Sequence, residues 1–126
     1  MTDNVDLFAD VAAALFIKIY APFPMPIDVE VDTFAEAAIV DGEPVGATPE
    51  AFVEASIHWL ASAGLVTFEP GQMGARLIER VGLTAKGYLA LQSPVTDGGP
   101  IGRALRDEPA ADRRRALVGL AMAAAR

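Results

Sequence analysis

The sequence predicts an α+β fold that is mostly helical, and three observations support this prediction. Several segments that begin with helix-capping residues carry apolar residues at intervals of three and four. Between two of these segments, branched and aromatic residues on both sides of a Pro70-Gly71 turn predict a β-hairpin. At 126 residues and 52% hydrophobic residues, the chain can bury one core and add a short appendage.

The first helix is predicted over residues 3–20. Its apolar stripe is unusually wide, because Ala13, Ala14 and Ile17 extend it towards the opposite side of the helix. A stripe of this width indicates that a second chain covers part of the helix. The three prolines in residues 22–26 then end the helix, since proline lacks the backbone N–H that a helix interior needs.

A short strand and a short helix are predicted next. Residues 27–31 alternate apolar and acidic side chains, as a half-exposed strand does. Thr33 and Glu36 match a capping box, which predicts a helix over residues 33–40. The turn formers in residues 41–46 predict a loop that leads to the following helix.

The central helix is predicted to begin after Thr48, whose hydroxyl can cap free backbone N–H groups, with Pro49 in the first helical position. Gly64 fits a left-handed C-terminal cap, so the helix should end near residue 63. Helical spacing gathers its buried side chains on one side, with Trp59 at the border. These side chains are Phe52, Val53, Ser56, Ile57, Leu60 and Ala63.

The predicted hairpin consists of residues 65–68 and 75–81, and Thr84 then caps a helix that ends near residue 91. The step Leu83-Thr84-Ala85-Lys86-Gly87 resembles the Leu-Thr-x-x-Gly sequence with which MarR-like and PadR-like bacterial regulators leave the wing. Upstream, Trp59-Leu60 followed by Gly64-Leu65-Val66 is similar to the end of their recognition helix. The resemblance implies a winged helix-turn-helix domain over residues 1–91, in which the strand at 27–31 joins the hairpin.

The remainder of the chain is predicted to be a linker followed by a C-terminal helical extension. Residues 92–100 are polar and rich in glycine and proline, which is typical of a linker. Residues 101–107 and 110–126 have helical spacing. We expect this tail to serve oligomerisation or docking, and we expect a homo-oligomer formed through residues 5–20 and 101–126.

Charge is distributed unevenly along the sequence. Residues 1–75 contain twelve acids and one base, whereas residues 76–126 contain nine bases and five acids. The two halves are therefore expected to attract each other, either within one chain or between protomers.

The outward face of the central helix is the first candidate interaction surface. Opposite the buried stripe lie Glu50, Glu54, His58 and Ser62, and the helix contains no lysine or arginine. Nucleic-acid binding depends mainly on neutralising phosphates, which carboxylates oppose. We therefore expect a non-catalytic protein that acts through protein–protein association in a regulatory or adaptor role.

DNA binding is the alternative function, as a transcriptional regulator of bacterial or prophage type. In this case the wing and the tail hold the DNA backbone while the helix reads bases. The same residues are candidates for contact with an acidic protein partner. They are Gln72, Arg76, Arg80, Arg113, Arg114 and Arg115.

Enzymatic, metal-dependent and membrane functions have little support in the sequence. Glu54, His58 and Ser62 include an acid, a base and a nucleophile, but a convex helix face has no free N–H groups to stabilise an oxyanion. One histidine and no cysteine make a metal site or cofactor unexpected. The longest apolar run, residues 116–125, is half of the roughly 20 residues that a membrane span needs. No export signal opens the chain, so we expect a cytoplasmic protein.

Overall fold

The computed structural model describes residues 2–69, 76–96 and 98–126. Within these residues the chain forms six helices and one three-stranded antiparallel sheet, which confirms the predicted α+β, mostly helical class. None of the described helices has the length and apolar content that crossing a bilayer requires. In chain order the elements are α1 (Asn4–Tyr20), β1 (Ile27–Glu30), α2 (Val31–Ala38), α3 (Pro49–Ser62), β2 (Val66–Glu69), β3 (Leu77–Leu83), α4 (Ala85–Gln92), α5 (Ile101–Asp107) and α6 (Ala111–Ala124).

Side-chain caps explain where three of the helices begin. The carboxylate of Asp3 accepts a hydrogen bond from the backbone N–H of Asp6 at 2.9 Å, at the start of α1. The hydroxyl oxygen of Thr48 accepts one from Ala51 at 3.1 Å, and that of Thr84 accepts one from Gly87 at 3.0 Å. Each bond satisfies an N–H group that lacks a partner inside the helix; the predicted starts of α3 and α4 are confirmed, and α1 begins one residue later than predicted.

The prediction for α2 was wrong at its start and two residues too long at its end. The capping box does not form, because the hydroxyl of Thr33 donates to the Glu30 carboxylate at 2.9 Å. The helix begins at Val31, whose N–H donates to the Arg76 carbonyl at 2.8 Å. Strand β1 therefore ends at Glu30, one residue earlier than predicted, and passes into α2 without a connecting loop.

The sheet has β3 in the centre, with the order β1-β3-β2. Ile27 lies opposite Val81 in the first pair of strands, and Val66 lies opposite Leu83 in the second. The strand predicted at residues 27–31 therefore does join the hairpin. The predicted hairpin strands were placed one or two residues too early, and the predicted turn lies outside the described residues.

Helices α5 and α6 pack against α1 and belong to the same core as the rest of the chain. Their fully or almost fully buried apolar side chains are Ile101, Leu105, Val118 and Ala121. The wide apolar stripe of α1, which predicted a covering second chain, is covered largely by these two helices. Ala13 is buried, and Ala14 and Ile17 are half-buried.

The predicted linker forms a hydrogen-bonded turn. The N–H of Val95 donates to the Gly99 carbonyl at 3.0 Å, and the N–H of Ile101 donates to the Ser93 carbonyl at 2.9 Å. These bonds reverse the chain direction and bring α5 back onto α4 and α1.

Candidate interaction surface on helix α3

Helix α3 is held in the fold by one side and presents the other to solvent. Val53, Ile57 and Leu60 are fully buried between α1, α2 and β2. Ser56 is also buried, and its hydroxyl donates to the Phe52 carbonyl at 2.8 Å, so it needs no partner outside the helix. The side predicted to face outwards is therefore available for contact with another molecule.

The four predicted surface residues all lie on this exposed side. Glu50 and Glu54 are half-buried at one edge, whereas His58 and Ser62 are exposed. The His58 ring packs edge-on against Phe68 of β2, with 4.9 Å between ring centroids. Within the described chain, no hydrogen bond joins Glu54, His58 and Ser62 to one another, so they do not form a relay.

A polar depression of about 420 Å³ lies between α2, α3 and the start of β3, and we call it the acidic cleft. Its charged lining consists of Asp32, Glu50, Glu54 and Arg76. Arg76 forms an ion pair with Asp32. Glu50 and Glu54 have no ion-pair partner among the described residues, so the cleft carries excess negative charge.

An apolar depression of about 360 Å³ lies on the opposite flank of α3, between α3 and the first turns of α1, and we call it the apolar groove. The Phe8 and Trp59 rings pack edge to face with 5.2 Å between centroids. Trp59 nevertheless remains 54% exposed and Val5 76% exposed. The full lining is Asn4, Val5, Phe8, Phe52, Ala55, Ser56 and Trp59.

Sequence reasoning did not include the apolar groove among the candidate sites. Its signal was present, because Val5 lies outside the buried stripe of α1 and Trp59 lies at the border of the stripe of α3. Large apolar side chains outside two neighbouring buried stripes indicate a shared exposed patch once the helices are known to be adjacent. The position of α1 beside α3 depends on tertiary packing, which the sequence pattern alone does not show.

Arg80 of β3 and Arg76, which directly precedes β3, form ion pairs with carboxylates of the same chain. Arg80 pairs with Glu69 of β2 at 3.1 Å, and Arg76 pairs with Asp32. Arg80 also has a left-handed backbone, with φ of 54°, where β3 bulges between its two partner strands. Its N–H donates to the Asp28 carboxylate at 3.0 Å, which supports this unusual conformation. Gln72, the third predicted wing contact, lies outside the described residues.

One arginine of α6 pairs with an acid of the chain's own acidic half. Arg115 donates two hydrogen bonds to Asp10 of α1, at 2.7 and 2.8 Å, and their side chains are only 18% and 14% exposed. This hydrogen bonding raises the pKa of the Arg115 guanidinium, which keeps it charged. Arg113 lies 3.6 Å from Glu108, and Arg114 is half-buried near Ala14. The Asp10–Arg115 pair joins the two oppositely charged halves within one chain.

The acids of the α3 surface do not form a metal site. Across the described ranges, no three acidic or histidine side chains lie close enough together to hold a metal ion.

Comparison with known proteins identifies no relative: no protein-family model, curated protein or solved structure matches the chain. Function is therefore inferred from the α3 surface itself.

Proposed function

We propose that this chain is a winged-helix protein that binds another polypeptide through the outward side of α3 and catalyses no reaction. Support for the winged-helix assignment comes from the order helix, strand, helix, helix, hairpin, helix, with the first strand added to the hairpin. The fold hosts both protein-binding and DNA-binding functions, so the surface has to distinguish them.

The step from the hairpin to α4 also supports the assignment. Besides capping α4, the hydroxyl of Thr84 donates to the Gly64 carbonyl at 2.5 Å, so it ties α4 to the end of α3. Gly87 lies so close to the Leu65 backbone that a Cβ atom at this position would be 2.0 Å from the Leu65 carbonyl oxygen. Threonine and glycine at this spacing are therefore required by packing between α4 and the end of α3.

The charge of α3 is the main observation in favour of a polypeptide partner. The helix that would enter the major groove presents Glu50 and Glu54 and contains no lysine or arginine. At about 6 Å in water, each carboxylate and phosphate repel each other by roughly 0.7 kcal/mol. The attraction that normally drives DNA binding is missing as well.

The DNA alternative depends on arginines outside α3, and most of these are engaged. Arg76, Arg80 and Arg115 each pair with a carboxylate of the same chain, so DNA would have to displace those carboxylates. The alternative predicts retention on duplex DNA with a steep salt dependence, and loss of retention in the double variant Arg76→Ala with Arg80→Ala.

Self-association through residues 5–20 and 101–126 stays a prediction, and fewer exposed apolar residues support it than the sequence suggested. The apolar residues that suggested it largely contact each other within one chain. What remains exposed on these segments includes Val5 and Leu120.

Selection of binding peptides from a displayed random library tests the proposed function. We expect peptides selected on the wild-type protein to lose binding to the Ala55→Arg variant, because Ala55 is exposed at the centre of the outward side of α3. The matched control is Ala123→Arg, at an exposed position of α6. Selected peptides that bind both variants equally would place the binding surface elsewhere and contradict the proposal.

A further inference from the structure

We propose that the partner segment is a basic amphipathic helix that inserts an apolar side chain into the apolar groove and an arginine or lysine into the acidic cleft. This inference rests on the proposed function and specifies the chemistry of the partner. It is based on the two flanks of α3, which have opposite chemical character and are separated by a narrow strip of small residues.

The apolar groove has the size of an anchor site. Its α3 wall extends from Phe52 to Trp59, which corresponds to about 10 Å or two turns along the helix. Part of the apolar surface of Trp59, Phe8 and Val5 remains exposed, and water solvates such surface poorly. A leucine or phenylalanine from an amphipathic helix would cover this surface, as in other complexes in which a helix binds in a groove.

The acidic cleft is suited to a long basic side chain. Three carboxylates line it, and the single guanidinium of Arg76 pairs with Asp32 alone. That pair lies at the rim of the cleft, where the Arg76 side chain is 80% exposed, and it leaves the Glu50 and Glu54 carboxylates without a basic partner among the described residues. The carboxylates are too dispersed for a metal ion, whereas arginine and lysine reach separated acceptors through flexible stems.

The strip between the two depressions allows a partner backbone to approach closely. The strip consists of Ala51, at the edge of the cleft, and Ala55, at the edge of the groove; both are exposed and lie one helical turn apart. One partner helix that lies across this strip can therefore place side chains in both depressions, from two adjacent faces of the partner helix.

A second copy of this chain fits the surface less well than a different, basic partner does. A two-fold contact places the same patch on both sides, so the acids of one cleft would face those of the other. Among the chain's own arginines, Arg76, Arg80 and Arg115 already pair with carboxylates of the same chain. Charge complementarity therefore selects a partner with its own basic residues.

Trp59 is the only tryptophan in the sequence and lines the groove, so it reports binding directly. The probe is a synthetic helical peptide with leucines at positions i and i+4 and arginines on the adjacent face. We expect saturable binding by anisotropy, together with a blue shift of the Trp59 emission as the indole is covered. Replacing the arginines by glutamates, or the leucines by alanines, should abolish both signals.

Matched variants of the protein test the contribution of the acidic cleft. Glu50→Gln with Glu54→Gln should weaken binding of the arginine peptide by about tenfold, because charge-assisted hydrogen bonds are lost. The control Glu36→Gln with Glu79→Gln removes two exposed acids outside the cleft and should leave affinity unchanged. Equal weakening in both variants would show that only net charge matters and would overturn the inference.

The outcomes also distinguish this inference from the proposed function. If a leucine peptide without arginines binds as tightly and shifts the Trp59 emission equally, the basic partner is wrong while polypeptide binding at α3 stands. If no peptide of either charge shifts the emission and duplex DNA does, both proposals fall.

Discussion

Two glycines that lie within helices of this protein have opposite surroundings. At Gly87 in α4, an added Cβ would lie 2.0 Å from the carbonyl oxygen and 2.9 Å from the carbonyl carbon of Leu65. At Gly119 in α6, nothing lies within 4 Å of an added Cβ. Gly87 is therefore required by a close approach of two backbones, whereas Gly119 only loosens its helix.

Alanine at these two positions should change stability in opposite directions. Gly87→Ala should lower the free energy of unfolding by about 2 kcal/mol or more, because the backbone of Leu65 cannot move aside cheaply. Gly119→Ala should raise it by roughly 0.5 to 1 kcal/mol through better helix propensity. Urea unfolding measures both, and changes of the same sign would contradict the described packing of α4.

At the scale of single residues, the sequence predicted the features that depend on nearby backbone. Thr48 and Thr84 were predicted as caps because a cap needs only the next three residues. The Leu-Thr-x-x-Gly step was visible as a motif, but the contact that explains Gly87 involves Leu65, which is distant in sequence. The exposure of Trp59 likewise depends on where α1 lies.

Among the elements, α1 and α6 are joined by apolar packing and by one well-formed ion pair. Asp10 and Arg115 form two parallel hydrogen bonds and are mostly shielded from water. The pairs formed by Arg76 and Arg106 are far more exposed, and exposed pairs contribute little to stability.

A double-mutant cycle on Asp10→Ala and Arg115→Ala should give a coupling free energy of about 1 to 2 kcal/mol in unfolding experiments. The reason is that Arg115→Ala leaves the shielded Asp10 carboxylate without its partner, whereas Asp10→Ala leaves Arg115 only a 3.8 Å contact with the exposed Asp112. The same cycle on Arg106 and Asp107, which form an exposed pair, should give no detectable coupling. Equal coupling in both cycles would show that the Asp10–Arg115 pair is no better than a surface contact.

The boundaries of the elements were predicted where local signals dominate and were wrong where tertiary contacts compete. The start of α2 is the clearest case. Thr33 and Glu36 satisfy the sequence pattern of a capping box, but the N–H of Val31 already donates to the carbonyl of Arg76, directly before β3. Sheet pairing therefore decided the helix start, and a local pattern could not predict it.

At the scale of the whole molecule, the C-terminal helices complete the core. Ile101 and Leu105 of α5 and Val118 and Ala121 of α6 belong to the same buried cluster as Phe16 of α1. Periodicity predicted that both segments are helical, but it could not assign them to this chain's core or to a second copy. The wide stripe of α1 fits either arrangement.

Removing residues 101–126 should therefore lower the free energy of unfolding by about 3 kcal/mol or more, since several buried side chains would lose their covering. Circular dichroism during heating measures the loss, with removal of residues 125–126 alone as the control. An unchanged melting temperature would show that the last two helices are an appendage and that residues 1–100 fold alone.

The central claim is that the α3 surface is too negative for DNA and serves polypeptide binding instead. Fluorescence anisotropy of a labelled duplex DNA at low salt tests it most directly, with the wild type compared with Glu50→Lys combined with Glu54→Lys. We expect no binding by the wild type and salt-sensitive binding by the charge-reversed variant, because phosphates then meet lysines. Tight, salt-dependent binding of DNA by the wild type, abolished by Arg76→Ala with Arg80→Ala, would contradict the claim.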